Sequence, residues 1–201
     1  MELAAVIGDI VGSRTVSDRN ALQQDFLAVL EKANQATAPT TTLRITRGDE
    51  FEGSYGSWQQ AWEATLRLRL LMLQRGHDLW ISVSQGEVTA LPDSDEAANQ
   101  DGPAWWAART ALTDLKSSSR AARNRRTVFT GVDSSPLTAA VILRDEVLAG
   151  IDATDATIAL GLLSNQSQAK IADGLGITPG VVSRRIHRNG LLSLVESASI
   201  R

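Results

Sequence analysis

Two clusters of acids and one stretch rich in arginine hold the groups able to do chemistry. Asp9 stands in Gly8-Asp9-Ile10-Val11-Gly12-Ser13-Arg14, where an apolar run ends, and Asp49 and Glu50 stand in Gly48-Asp49-Glu50-Phe51-Glu52-Gly53. Hard carboxylate oxygens suit Mg²⁺ or Mn²⁺, with phosphate oxygens completing the coordination shell. Asp9, Asp49 and Glu50 are therefore candidate metal ligands. Gly12 and Ser13 precede a helix and can offer backbone N–H groups to a phosphate. Arg14 and Arg47 are cations close by in the chain, and Glu87 and Asp101 are further acids at strand and helix ends. The plainer readings stay open beside these. Asp9 suits a strand-end acid satisfied by backbone N–H groups, and Glu50 and Glu52 suit solvated turn acids. Arg109 suits an ion pair with Asp101 or Asp9. His77, beside Gly76, suits a helix end, and Arg120–Arg126 suits a solvated loop face with a supporting phosphate contact as the alternative.

The second constellation runs from Gln166 to Gly190 and has the spacing of a helix-turn-helix. Ala172 is small where two helices would cross, and Gly176 takes the turn, where positive φ needs no side chain. Ile171, Leu175, Ile177, Val182 and Ile186 would share a core, while Thr178-Pro179 caps and starts the second helix. The exposed face expected on that helix holds Thr178, Gly180, Val181, Ser183, Arg184, Arg185, His187 and Arg188, which suit base edges and phosphates of DNA. From Gly174 to Arg201 four arginines (Arg184, Arg185, Arg188, Arg201) stand against Glu196 alone, a local charge of +3. A plain helical hairpin with solvated arginines is the competing reading. One such motif reads half a site, so specific binding implies a homodimer.

The elements that must position these residues follow from periodicity. Leu3–Ile10 is an apolar strand. Ser17 or Asp18 caps a helix with Leu22, Phe26, Val29, Leu30 and Ala33 on one face. Thr41–Arg47 and Phe51–Tyr55 form a hairpin around Gly48-Asp49-Glu50. A helix with Trp58, Trp62, Leu66, Leu70 and Leu73 on one stripe ends at Gly76, and Leu79–Val88 is a further strand. Together these make a βαββαβ, ferredoxin-like unit. Thr89–Gln100 is a polar connection, Asp101–Ser117 a helix entered through Pro103, Thr127–Gly131 a short strand and Pro136–Gly150 a helix. The expected fold class is α+β: a ferredoxin-like domain over 1–135, then a small all-α domain over 136–201. Trp105 and Trp106 are adjacent, so one faces the core and the other a surface, where it can stack on a base.

Composition narrows the classes. The 201 residues are 43% hydrophobic and 21% charged, with a net charge of −3. That balance opposes a wholly nucleic-acid-coating protein but permits a basic module on an acidic body. The chain has no cysteine, which excludes disulfides, thiolate zinc and cysteine nucleophiles. No apolar run reaches the roughly 20 residues of a membrane helix, and Met1-Glu2 leads straight into a strand-like run rather than a signal peptide. A cytoplasmic protein is expected, with no membrane partner.

The motifs Gly8–Arg14, Gly48–Gly53 and Asp101-Gly102-Pro103-Ala104-Trp105-Trp106-Ala107-Ala108-Arg109, in that order, resemble the SatD family of bacterial proteins over roughly residues 3–130. A helix-turn-helix tail occurs in members of that kind. More distantly, the layout looks like the class III nucleotidyl cyclases and the diguanylate cyclases. In those enzymes a first-strand Asp and a hairpin Asp hold Mg²⁺ over a nucleoside triphosphate. A helix with Asn and Arg, supplied by the dimer partner, meets the transition state. The resemblance implies that Asp9 and Asp49 are metal ligands, that Arg109 binds phosphate and that the chain dimerises. The Asn position is Trp105 here. The leading expectation is therefore a DNA-binding, transcription-regulating protein whose first domain binds a nucleotide or phosphate with Mg²⁺ or dimerises. The alternative is a Mg²⁺-dependent nucleotidyl cyclase or nucleotidyltransferase with an appended helix-turn-helix.

Overall fold

The computed structural model describes residues 1–90, 100–118, 123–132 and 135–198. Among them, a mixed sheet runs in the order β2-β3-β1-β4-β7. Its strands are β1 (Glu2–Ile10), β2 (Thr41–Arg47), β3 (Glu50–Tyr55), β4 (Leu79–Glu87) and β7 (Thr127–Thr130). All neighbours are antiparallel except β7, which lies parallel to β4. β1 is central and covered on both faces, which is why it reads as an unbroken apolar run rather than an alternating one.

Helices α1 (Arg19–Thr37) and α2 (Trp58–Leu73) lie on one face. Their Leu22, Phe26, Val29, Trp62 and Leu68 pack with Val6, Phe51, Tyr55 and Ile81 in the main core. Asp18 caps α1 through the Ala21 N–H, and Ser57 caps α2 through Gln60. Helix α3 (Pro103–Ser118) covers the opposite face, where Trp105, Ala108 and Leu112 meet Leu3, Ala5 and Ile7. Each large apolar side chain buried here stabilises the fold by about 1.5–3 kcal/mol before entropy is counted. Two-residue strands β5 (Thr89–Ala90) and β6 (Gln100–Asp101) pair at the start of α3. The expected polar connection between them, 91–99, and part of the basic run, 119–122, lie outside the described residues.

Helix α4 (Ser135–Ala149) returns to the sheet rather than leaving it: Leu137 and Val141 enter the main core. A buried ionic lock fixes it. Asp145 accepts from Arg69, from the backbone N–H groups of Arg126 and Thr127 and from Thr127 Oγ1, while Arg69 also grips Asp78 at 2.8 and 2.9 Å. Arg144 lies 3.8 Å over the Trp62 ring, and burial pulls its guanidinium down to about 9.

The chain ends in α5 (Ala153–Leu163), α6 (Gln168–Leu175), α7 (Pro179–Arg188) and α8 (Leu191–Glu196). Ile158, Ile171, Ala172, Val182, Ile186 and Leu191 form a separate small core there. Gly176 turns α6 into α7 with φ of +64°, and Thr178 caps α7 through the Val181 N–H. On its other side α5 packs against α2 through Ala156 and Ala159, and Trp62 Nε1 donates to the Ser197 carbonyl at 2.6 Å. Among the described residues no helix is long and apolar enough to cross a membrane.

Candidate functional site

The hairpin and the central strand bring two of the expected acids together. Asp9 lies near the end of β1 and pairs in register with Glu50, the first residue of β3. Asp49 occupies the turn before Glu50, and Ile10 N–H donates to its carbonyl. The two carboxyls lie close enough for each to shift the other's pKa. Burial raises the Asp9 pKa above the ordinary carboxylate value despite Lys116, with Asp49 adding to the rise. Burial pushes Asp49 the same way, but the Ser13 hydroxyl, backbone N–H, Asp9 and Lys116 together hold it below that value.

The connection after β1 wraps this pair. Gly12 adopts φ of +67° and starts a single 3-10 turn, Ser13–Thr15. The left-handed residue folds the chain back so that Ser13, itself buried, donates its hydroxyl to Asp49. Ser13 is thus committed to an acid, while Arg14 and Arg47 are exposed at the same end of the sheet. Gln23 Nε2 donates to the Gly48 carbonyl at 2.9 Å and ties α1 to the hairpin turn.

Glu50 takes a different place from the one expected. Although opposite Asp9 on β1, its carboxylate is held by Arg109, which also binds Glu52. Arg109 therefore bridges two β3 acids instead of standing free for phosphate or pairing with Asp101 or Asp9. The hydrogen bond that Arg109 donates to Glu50 raises the Arg109 pKa. Burial raises the Glu52 pKa against the pull of Arg109. Among the described residues no three acidic or histidine side chains gather as a metal cluster.

Lys116, within the helix expected over Asp101–Ser117, was assigned no partner from sequence. It lies in the last turn of α3, which runs through Ser118, and its ammonium contacts Asp9. Arg109 and Lys116 are spaced by two helical turns and share one face, so α3 lays a row of cations over the acid row Glu52, Glu50, Asp9. That seven-residue spacing within the expected helix was the available signal. Of the adjacent tryptophans, Trp105 is 7% exposed in the core and Trp106 is 60% exposed, its Nε1 donating to Asp101 at 2.6 Å. In the basic run, Arg126 is folded back 4.2 Å over the Trp80 ring rather than left to solvent.

On α7 the expected face divides. Arg184, His187 and Arg188 are exposed, as are Thr178 and Gly180, while Val181 and Ser183 are half-buried. Arg185 turns inward: it pairs with Asp152 at 3.0 Å and with Asp155 at 2.8 Å, and Asn189 also donates to Asp155. Asp152 and Asp155 form the capping box of α5, so a structural cap doubles as the anchor for Arg185. The positive balance of the tail is local. From 152 to 198, Asp152, Asp155, Asp173 and Glu196 offset Lys170, Arg184, Arg185 and Arg188. The groove beside α7, about 920 Å³, is lined by Arg184, His187 and Arg188 together with Asp152 and Asp155.

Residues 3–194 match the model of the SatD family. The match continues beyond the expected limit near 130, through α7 and into α8. Two structures of a bacterial light-regulated adenylyl cyclase resemble the fold at 16% identity, with TM-scores of 0.48 and 0.47. The aligned region covers 72% of this chain and 45% of that one, so the chain spans under half of that enzyme's length. Comparison with curated proteins gives no match.

Proposed function

We propose that this chain, which belongs to the SatD family, binds a nucleotide or other phosphate-bearing ligand together with a divalent cation at the Asp9–Asp49 end of its sheet. The observation that supports this is the meeting of two half-buried carboxylates from separate elements, with Lys116 as their counter-charge. Mg²⁺ typically takes one or two protein carboxylates and completes its shell with water and phosphate oxygens. A pair of acids fits that requirement, and Asp9 and Asp49 would hold the ion. Bound there, the cation would neutralise phosphate charge. Ser13 fixes the Asp49 carboxylate, Lys116 offsets the surplus negative charge, and Arg14 and Arg47 offer positive charge at the rim. The order β2-β3-β1-β4 supports the ferredoxin-like reading of the first unit. The burial of Trp105, where the cyclase pattern has Asn, leaves no transition-state group at that position, so the reading is of binding rather than turnover.

Thermal melting tests it. Mg²⁺-ATP or Mg²⁺-GTP should raise Tm, and Asp9→Asn with Asp49→Asn should abolish the rise. The absence of a shift with any triphosphate would leave the acids purely structural. Product formed from a labelled triphosphate would move the reading to nucleotidyl transfer.

A second reading, contact with DNA through α7, is favoured by one specific observation. Val182 and Ile186 are buried against α5 and α6, while Arg184, His187 and Arg188 face outward on the same helix. That split suits a recognition helix, with 136–201 as the DNA-contacting part and a second copy supplying the other half-site.

A further inference from the structure

A groove of about 420 Å³ opens where α3 crosses β1 and β3, with Ile7, Glu52, Gln100, Trp105, Trp106 and Arg109 among its lining residues. Two of its lining residues carry polar atoms that are buried and, among the described residues, unpartnered: Trp105 Nε1, a donor, and Gln100 Oε1, an acceptor. Trp105 is 7% exposed. The Gln100 amide is fixed from its other end, because Nε2 donates to Thr41 Oγ1 at 2.8 Å, which leaves Oε1 without a partner. A buried polar group left unsatisfied is costly, so a donor and an acceptor orphaned on the same groove point to a ligand that satisfies both. At the mouth, the Trp106 ring is largely exposed yet tethered by its Nε1 to Asp101. An apolar face is thereby held ready at little entropic cost.

We infer that this groove is a nucleobase subsite: a flat heterocycle stacks on Trp106 and presents an adjacent acceptor and donor to Trp105 Nε1 and Gln100 Oε1. Every nucleobase carries such an edge, and base–aromatic stacking is tolerant of base identity. The inference rests on the proposed phosphate-binding function, and the placement agrees with it. Ile7 in the groove and Asp9 at the acid pair lie on the same face of β1, one pleat repeat or about 7 Å apart, a separation that suits the base and phosphates of one nucleotide.

The test is calorimetric titration of the full chain with adenosine and guanosine in EDTA, so that neither phosphate nor metal contributes. The wild type binds, and ribose 5-phosphate, which lacks a base, does not. Trp106→Ala weakens nucleoside binding about ten-fold, whereas Trp106→Phe, which keeps an aromatic face, retains most of it. Gln100→Leu weakens it about five-fold. No heat with either nucleoside at millimolar concentration, or equal affinity in Trp106→Ala, overturns the subsite. Nucleoside binding without a Mg²⁺-triphosphate shift would remove the proposed function and leave the subsite standing. A triphosphate affinity unchanged by Trp106→Ala and Gln100→Leu would do the reverse.

Discussion

Arg184 and Arg188 lie open to solvent on α7, while Arg185 is held by Asp152 and Asp155. If this helix meets a nucleic-acid backbone, the first two should neutralise phosphates and the third should not. Each neutralised phosphate contributes about 0.9 to the slope of log K against log salt. Two arginines therefore supply about 1.8 per protomer, or roughly a 12-fold loss of affinity between 50 and 200 mM salt, and three would supply about 2.7, or roughly 40-fold. The assay is fluorescence anisotropy of a labelled duplex titrated with the full chain across a salt series. Arg184→Ala with Arg188→Ala should flatten the slope by about 1.8, and Arg185→Ala should leave it unchanged. The latter should instead lower stability by about 1–3 kcal/mol, because it strips a charged partner from buried Asp155. A slope change of about 0.9 on Arg185→Ala, or none in the double variant, would refute this division of the helix.

Arg69→Met should destabilise the fold by about 3–5 kcal/mol in urea denaturation, since it leaves buried Asp145 without its cation; a loss under about 1 kcal/mol would show that the backbone N–H groups satisfy Asp145 unaided. The Asp155 backbone N–H and, after it, Arg185 lower the Asp152 pKa against burial. A lowered carboxyl stabilises the fold above its unfolded value and loses that contribution as pH falls through its folded one. The Tm gap between wild type and Asp152→Asn, which keeps a capping side chain, should hold from neutral pH and close below about pH 4. A gap that persists in acid would exclude the ion pair as its source.

Much of the architecture was legible in the chain. The Leu22–Ala33 spacing and the Trp58–Leu73 stripe fixed two helices and their buried faces, because a helix repeats every 3.6 residues whatever lies opposite. The unbroken run Leu3–Ile10 announced a strand covered on both sides. Thr178 before Pro179 and Gly176 in the turn marked α6 and α7 because caps and positive φ are local requirements. The convergence of Asp9 and Asp49 was also foreseeable, since a hairpin beside the first strand places its turn near that strand's end.

What the chain could not specify was which charge meets which. Arg109 was expected to bind phosphate or to pair with Asp101 or Asp9, and it bridges Glu50 and Glu52. Lys116 was given no partner, and it sits on Asp9. Arg185 was counted among the exposed arginines and anchors in the α5 cap. Glu50 and Glu52, as solvated turn acids, gave no hint of the helix above them. Helical period, strand burial and capping are set by neighbours in sequence, so the amino-acid string determines them by itself. Ion pairing between elements depends on how α3 lies across the sheet and how α7 leans on α5. Those placements are decided by the packing of Trp105, Leu112, Val182 and Ile186 into cores whose other halves come from distant segments. Only the tertiary structure therefore decides which acids remain open to a ligand.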